Sequence, residues 1–149
     1  MANHPFLLEP KKWLGEGKIK LSMVEEDLDF YTRWNLGAKT TSGEISAVQE
    51  VQIKGLSDVM NNQFRVTELT PTQFKIELEN ATLGNIVGKG IIKENLIAWE
   101  FRDEATGFEG FEFYEKQQDG TYLMRAEYAT ADQHRTVIRG RLWEKIEQK

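Results

Sequence analysis

The stretch Gln73-Phe74-Lys75-Ile76-Glu77-Leu78-Glu79 alternates strictly between polar and apolar side chains. Successive side chains of a β-strand point to opposite sides, so Phe74, Ile76 and Leu78 share one face and the charged residues between them share the other. A sheet with one buried face and one wet face requires this pattern. Residues 73–79 therefore predict a strand that contributes to an apolar core.

The same alternation recurs along the whole chain and is interrupted at short intervals by turn-forming pairs. The strongest turn signal is Asp119-Gly120, for which we predict a two-residue type I′ turn with positive φ at both residues. Other turn pairs are Ser42-Gly43, Thr70-Pro71, Glu94-Asn95 and Thr106-Gly107. The predicted strands cover residues 13–23, 27–37, 44–54, 62–69, 72–79, 84–93, 95–103, 108–117, 120–130 and 135–145.

These strands predict an all-β fold. The short connections leave almost no room for crossover helices, which favours antiparallel pairing between neighbours. Residues 1–149 are therefore expected to form a single domain, an antiparallel up-and-down β-barrel of about ten strands. Closure of the barrel would remove both exposed sheet edges. Short helical turns are expected at 6–13 and around Ser57, where Leu56, Val59 and Met60 have helical spacing.

Composition and charge exclude several classes of function. The 149 residues include no cysteine, so disulfides, zinc–thiolate sites and a cysteine nucleophile are excluded. The net charge is −5 and the basic residues are scattered, which argues against a nucleic-acid partner. The first residues lack the apolar length of a signal peptide or membrane span. We therefore expect a cytoplasmic protein.

Both ends of the chain resemble calycins, the superfamily of lipocalins and fatty-acid-binding proteins, in its lidless bacterial form. Trp13-Leu14-Gly15-Glu16-Gly17 is similar to the Trp/Gly start of the first calycin strand. Arg139-Gly140-Arg141-Leu142-Trp143-Glu144-Lys145 is similar to the close of fatty-acid-binding chains. The resemblance implies a barrel in which Trp13 packs beneath an arginine of the last strand, Arg139 or Arg141.

The aromatic residues indicate a function for the barrel interior. If the apolar face of each strand points into the barrel, the interior is mostly apolar with a few hydroxyl groups, as in a pocket for a lipid-like or planar ligand. The sequence thus predicts a binding protein for a small apolar or amphipathic molecule. The expected ligand-binding residues are Thr32, Trp34, Trp99, Phe101, Phe111, Phe113, Met124 and Tyr128, with Tyr122 also expected to face inward.

Two alternatives remain open at this stage. One is a small barrel enzyme of decarboxylase, isomerase or cyclase type, with Glu100, Arg102, Glu112 and Tyr114 as acid–base candidates. The other is a homodimer with a filled barrel, in which Phe108 and Tyr114 lie on the outer face and form the contact. The same aromatic side chains would serve a packed core equally well.

The chain has only two histidines, and neither predicts a metal site. His4 is expected in a mobile tail. Haem-binding lidless barrels of the calycin group use one histidine as the axial ligand, which makes His134 the candidate for haem. A single histidine in a loop is more often an ordinary surface residue, so the sequence predicts neither a haem cofactor nor a metal.

Overall fold

The computed structural model describes residues 4–132 and 134–146, and its dominant feature is a closed barrel of ten strands. All ten predicted strands are confirmed, with small shifts at their ends. The strands are β1 (Lys12–Leu21), β2 (Leu28–Leu36), β3 (Ile45–Ile53), β4 (Val59–Thr67), β5 (Gln73–Asn80), β6 (Gly84–Lys93), β7 (Leu96–Asp103), β8 (Phe108–Lys116), β9 (Tyr122–Ala129) and β10 (Arg135–Glu144).

The strand order is that of a simple meander. Each strand pairs antiparallel with its successor, and β1 pairs antiparallel with β10 to close the sheet. At this closing seam Gly17 lies opposite Gly140, and Gly15 lies opposite Leu142. The predicted all-β, up-and-down architecture is therefore confirmed, and β1 and β10 pair with each other instead of forming sheet edges.

One inward-facing row of residues on each strand forms the core. Burial alternates along the strands as the sequence pattern predicts, for example at Phe74, Ile76 and Leu78 of β5. Glycines on the inward side make space for rings that lie flat against the wall. A Cβ atom at Gly90 would lie 2.0 Å from the ring of Phe74, so the ring or the strand would have to shift to make room for it.

A short helical segment, α1 (Pro5–Leu8), precedes the barrel. Its central residues Phe6 and Leu7 have non-helical backbone angles, and both are fully buried. It is shorter than the helical turn predicted over 6–13, because the chain enters β1 at Lys12. Among residues 4–132 and 134–146, no helix has the length and hydropathy needed to cross a bilayer.

Two local predictions are wrong. Val59 and Met60 are the first residues of β4 instead of part of a helical turn, since they pair with β3. In the β8–β9 connection only Gly120 has a positive φ, so Asp119-Gly120 is not a type I′ turn. The Gly120 amide bonds to the Gln117 carbonyl, and the Gln117 amide bonds to the Thr121 carbonyl, as in a longer hairpin loop that ends on a left-handed glycine.

Candidate functional site

The two ends of the barrel differ in how the interior meets solvent. At the end where β1 begins, here called the closed end, the helix α1 covers the interior. At the opposite end, here called the open end, the outermost inward-facing residues of several strands are only half-buried, whereas inward-facing residues deeper in the wall, such as Phe30 and Phe101, are buried. The open end carries the connections β1–β2, β3–β4, β5–β6, β7–β8 and β9–β10. Its half-buried apolar residues are Leu21, Leu28, Ile53, Leu83, Tyr128 and Ile138.

His4 helps to attach the N-terminal segment to the closed end. Its Nδ1 lies 2.8 Å from the Tyr122 hydroxyl, and its Nε2 lies 2.6 Å from the Lys93 carbonyl oxygen. The carbonyl can only accept, so Nε2 carries a proton and Nδ1 accepts from Tyr122. Burial lowers the pKa of His4, so the neutral form is favoured. The prediction of a mobile tail at His4 is therefore wrong.

Aromatic rings fill the interior next to the closed end. Trp34 stacks on Phe64 with 5.0 Å between ring centroids, and Trp99 stacks on Tyr114 at 4.9 Å. Trp34 and Trp99 meet edge to face at 6.3 Å. Phe6 packs beneath these rings, and its ring centroid lies 4.7 Å from that of Tyr114. This half of the interior is a packed core, and it forms the floor of the half that faces the open end.

A buried carboxyl group lies on this floor. Glu112 is 2% exposed and accepts hydrogen bonds from Trp99 Nε1 at 2.8 Å and from the Tyr114 hydroxyl at 2.5 Å. The Tyr128 hydroxyl also bonds to it. Burial raises the pKa of Glu112 against the opposing effect of these three donors. The tyrosine hydroxyls can accept as well as donate, so the cluster can be satisfied when the carboxyl is protonated.

Tyr128 links this carboxyl to the open end. Its ring stacks on Phe108 at 5.7 Å and lies over Gly110, where a Cβ atom would be 2.2 Å from the ring. Burial and the neighbouring Glu112 raise the pKa of the Tyr128 hydroxyl, so it stays protonated. Tyr128 thus has one edge near solvent at the open end and its hydroxyl on a buried acid.

A row of polar side chains crosses the opposite wall of the barrel, from β5 through β4 and β3 to β2. Asn80 Nδ2 donates to Asn62 Oδ1 at 3.0 Å, and Asn62 Nδ2 donates to Gln49 Oε1 at 3.0 Å. Gln49 Nε2 then donates to Thr32 Oγ1 at 3.1 Å. We call Thr32, Gln49, Asn62 and Asn80 the amide row. Of these four residues the sequence analysis identified only Thr32, because the row is assembled by the registers of four separate strands.

Six of the eight predicted ligand-binding residues point into the barrel. They are Thr32, Trp34, Trp99, Phe101, Met124 and Tyr128, all on inward-facing positions of their strands. Of these, Thr32 and Tyr128 belong to the polar groups described above, whereas Trp34 and Trp99 belong to the aromatic floor. Tyr122, also expected inside, faces inward at the closed end.

The orientation predicted for β8 is wrong. Phe111 and Phe113 face outward, and Phe113 is 41% exposed. The inward positions are taken by Phe108, Gly110, Glu112 and Tyr114. Phe108 and Tyr114 were therefore also placed on the wrong face. The sequence pattern of β8 is ambiguous because both faces carry aromatic residues. The inward face also contains Gly110 and Glu112, residue types that are uncommon in an apolar core.

Phe111 and Phe113 instead line a groove on the outer surface of the barrel. The groove has a volume of about 720 Å³ and runs across β5–β8. The two rings are 5.0 Å apart, and Ala98 forms part of the groove wall between larger neighbours. The groove also contains charged residues, including Lys89.

The acid–base candidates separate into two groups. Glu112 and Tyr114 lie together inside the barrel and share a hydrogen bond. Glu100 and Arg102 lie on outward positions of β7, where both are exposed. The structure therefore does not bring the four residues together, and any acid–base chemistry inside the barrel falls to Glu112 and its tyrosines.

The arginine pairing implied for Trp13 is absent from the described structure. Trp13 points inward and meets Phe6 and Tyr122 edge to face, with centroids 5.5 Å apart in both cases. Arg139 and Arg141 occupy outward positions of β10, where the Arg141 guanidinium lies 5.6 Å from the ring centroid of Trp143. The helix α1, which packs under Trp13, takes the place expected for an arginine.

His134 lies in the exposed connection between β9 and β10. Its Nε2 is 3.3 Å from Oδ2 of Asp132, an exposed carboxylate of the same connection. Within the described part of the chain, no three histidine, cysteine or acidic residues are grouped as metal ligands would be.

Comparisons with known proteins give a match in fold but not in sequence. No protein-family model matches the chain, and no curated protein sequence matches it. The S-type phycobiliprotein lyase CPES from Guillardia theta has a similar structure, with a TM-score of 0.68 over 93% of this chain and 89% of that chain. The fold of this chain is a calycin-like barrel. The two sequences are only 8% identical, so the likeness shows the fold alone.

Proposed function

We propose that the half of the barrel facing the open end binds a small apolar or amphipathic molecule. The observation that supports this most is the amide row, because it places four linked polar side chains on an inner wall that is mostly apolar. Thr32 and Gln49 are buried in this row, and Asn62 and Asn80 are half-buried nearer the rim. Polar groups therefore extend from the solvent-facing rim to the aromatic floor.

Packing of an apolar core does not require the amides of Gln49 and Asn62 at these positions. Burying an amide costs free energy that its hydrogen bonds at best recover, whereas leucine or isoleucine at these positions would stabilise a filled barrel. A ten-stranded barrel is also wider than the eight-stranded kind that side chains just fill. The closed end shows what a filled interior looks like in this chain, with Trp34, Phe64 and Phe6 in contact. The open end differs in both polarity and exposure.

The similar solved structure is named as a phycobiliprotein lyase, and that name motivates a narrower choice of ligand. We include a planar, pigment-like molecule among the candidates for this chain. Planar rings would lie against Phe101, Phe108 and Tyr128 with the polar edge toward the amide row. Burial of ligand surface would supply most of the affinity, at about 25 cal/mol per Å² before the costs of association.

The test uses N-phenyl-1-naphthylamine, a neutral probe that becomes fluorescent in apolar surroundings. We expect saturable binding to the native protein at one site. Ile138→Trp places a large ring on the inner wall at the open end and should weaken binding by about tenfold or more, since overpacking a site costs on the order of 1–3 kcal/mol. Val137→Trp is the matched control on the outer side of the same strand and should leave binding unchanged.

Binding of the probe in the outer groove instead of the interior would contradict the proposal. If Phe113→Ser abolishes probe binding and Ile138→Trp does not, the probe site is the groove and the proposal is wrong. Absence of saturable binding in the native protein would also overturn it. Melting curves of all three variants verify that each is folded at the temperature of the titration.

A further inference from the structure

The amide row has a fixed direction, and this direction determines which hydrogen-bonding groups remain for a ligand. Asn80 Oδ1 accepts from the backbone amides of Thr82 at 3.1 Å and Leu83 at 2.7 Å. Backbone N–H groups can only donate, so the oxygen of Asn80 must face them and its NH₂ must face Asn62. The orientation of the first amide is therefore set by the main chain.

The other end of the row is set in the same way. The Thr32 hydroxyl donates to the Glu50 carbonyl oxygen at 3.0 Å, which leaves its lone pairs to accept from Gln49. With both ends fixed, Asn62 and Gln49 must each accept with the oxygen and donate with the nitrogen. None of the amides can flip without breaking a bond at one end of the row.

Each amide nitrogen has two hydrogens, and the row uses one of them. Among the described residues, Asn80, Asn62 and Gln49 thus each retain a second N–H on the inner wall. Trp34, the cross-strand neighbour of Gln49, carries a further donor, its Nε1. Trp34 is fully buried, and its Nε1 has no hydrogen-bond partner among the described residues. A buried donor without an acceptor costs about 1–3 kcal/mol.

Charge on the inner wall restricts the partner further. Among the described inward-facing residues of the open half, none is a lysine or arginine. Of the two acids, Glu112 is already bonded to three donors, and Asp103 lies at the rim, where it accepts from the Thr106 hydroxyl. A carboxylate or phosphate entering this site would be desolvated without a cation to offset the cost. A neutral oxygen acceptor would meet the N–H groups without that cost.

We propose that the barrel selects uncharged ligands with a carbonyl oxygen, which accepts hydrogen bonds from Gln49 and Trp34 while the apolar part of the ligand lies against the opposite wall. The class includes ketones, amides and lactams. This inference rests on the proposed function and adds the chemistry of the recognised group.

The experiment compares two neutral probes of the same size. Prodan has a naphthalene ring with a propionyl ketone, and its carbonyl-free analogue has a propyl group instead. We expect prodan to bind more tightly than the analogue by about tenfold, the worth of one or two buried neutral hydrogen bonds. The carbonyl stretch of bound prodan should lie at the lower frequency of a hydrogen-bonded ketone.

Gln49→Met removes the amide from the row at nearly constant volume. It should remove most of the preference for prodan while changing the affinity of the analogue by no more than about twofold. Gln52→Met, on the exposed face of the same strand, is the matched control and should change neither affinity. Should Gln49→Met fail to fold, the carbonyl frequency in the native protein still tests the inference.

The outcomes separate the two proposals. Equal binding of prodan and its analogue, or a bound ketone at the frequency of a free carbonyl, overturns the inference while leaving the proposed function intact. Failure of both probes, together with N-phenyl-1-naphthylamine, to bind overturns the proposed function and the inference with it.

Discussion

The two ends of this barrel are built from the same strands, yet their interiors are used differently. At the closed end, α1 inserts Phe6 and Leu7 beneath a layer of tryptophan and tyrosine rings, and none of these residues meets solvent appreciably. At the open end, the rim of the inner wall is half-buried, and the wall carries the amide row. We interpret the difference as a division of the interior into one half that stabilises the fold and another half for which we propose ligand binding.

The first prediction concerns the closed end. Phe6→Ala should reduce the free energy of unfolding by about 3–5 kcal/mol, because it leaves a cavity among four aromatic neighbours. Those neighbours are Trp13, Trp34, Tyr114 and Tyr122. Urea denaturation measures the change. Phe113→Ala, on the exposed outer face, should cost much less. Equal losses in the two variants would show that α1 is not part of the core.

The second prediction concerns the wall of the open end. Gly110→Ala places a Cβ atom where the ring of Tyr128 lies, and should cost about 1–3 kcal/mol of unfolding free energy. In a Tyr128→Ala background the same change should be nearly neutral, because the collision is removed. A double-mutant cycle by denaturation gives the coupling. A coupling near zero would mean that Tyr128 does not lie over Gly110.

The third prediction uses the raised pKa of Glu112. Above about pH 4.5 the unfolded chain loses this proton while the folded chain keeps it, so the native protein loses stability as pH rises through that window. The slope contributed by one such group is at most about 1.4 kcal/mol per pH unit. Glu112→Gln should lack this contribution. Urea titrations of both proteins across the window test it. If the native protein instead gains stability relative to Glu112→Gln as pH rises, the carboxyl is ionised in the fold.

The fourth prediction, with the smallest expected effect, concerns His4 at the closed end. Its contribution to stability changes with pH in the direction opposite to that of Glu112. The pKa of His4 is lowered, chiefly by burial, and Lys116 adds to the lowering. Below pH 6.5 the unfolded chain binds a proton that the folded chain resists, so stability falls as pH decreases. Native protein should lose more stability than His4→Gln between about pH 8 and about pH 5.5. Identical losses would show that His4 is not buried as a neutral ring.

The sequence predicted the barrel because alternation along each strand reports burial directly, and ten alternating runs with short turns allow few other folds. It did not predict the face of β8. There, Gly110 and Glu112 occupy inward positions, and only tertiary contacts with Tyr128 and Trp99 reveal why. Alternation along a strand assigns its more apolar face to the core. On β8 this rule selects Phe111 and Phe113 and predicts that Glu112 faces outward.

The amide row and the contacts of His4 could not be predicted from the sequence either. Gln49, Asn62 and Asn80 become neighbours only through the registers of β3–β4 and β4–β5. His4 lies outside any periodic segment, and its partners Lys93 and Tyr122 are far away along the chain. A polar residue in the inward phase of a well-patterned strand was the one available signal, and it identified Thr32 alone.

The most direct test of the account is a crystal structure of the protein with N-phenyl-1-naphthylamine bound. We predict that the aromatic rings of the probe lie inside the open half, within contact distance of Ile138 and Tyr128 and above the floor formed by Trp34 and Trp99. A probe found in the outer groove against Phe111 and Phe113, with the inner wall unoccupied, would contradict it.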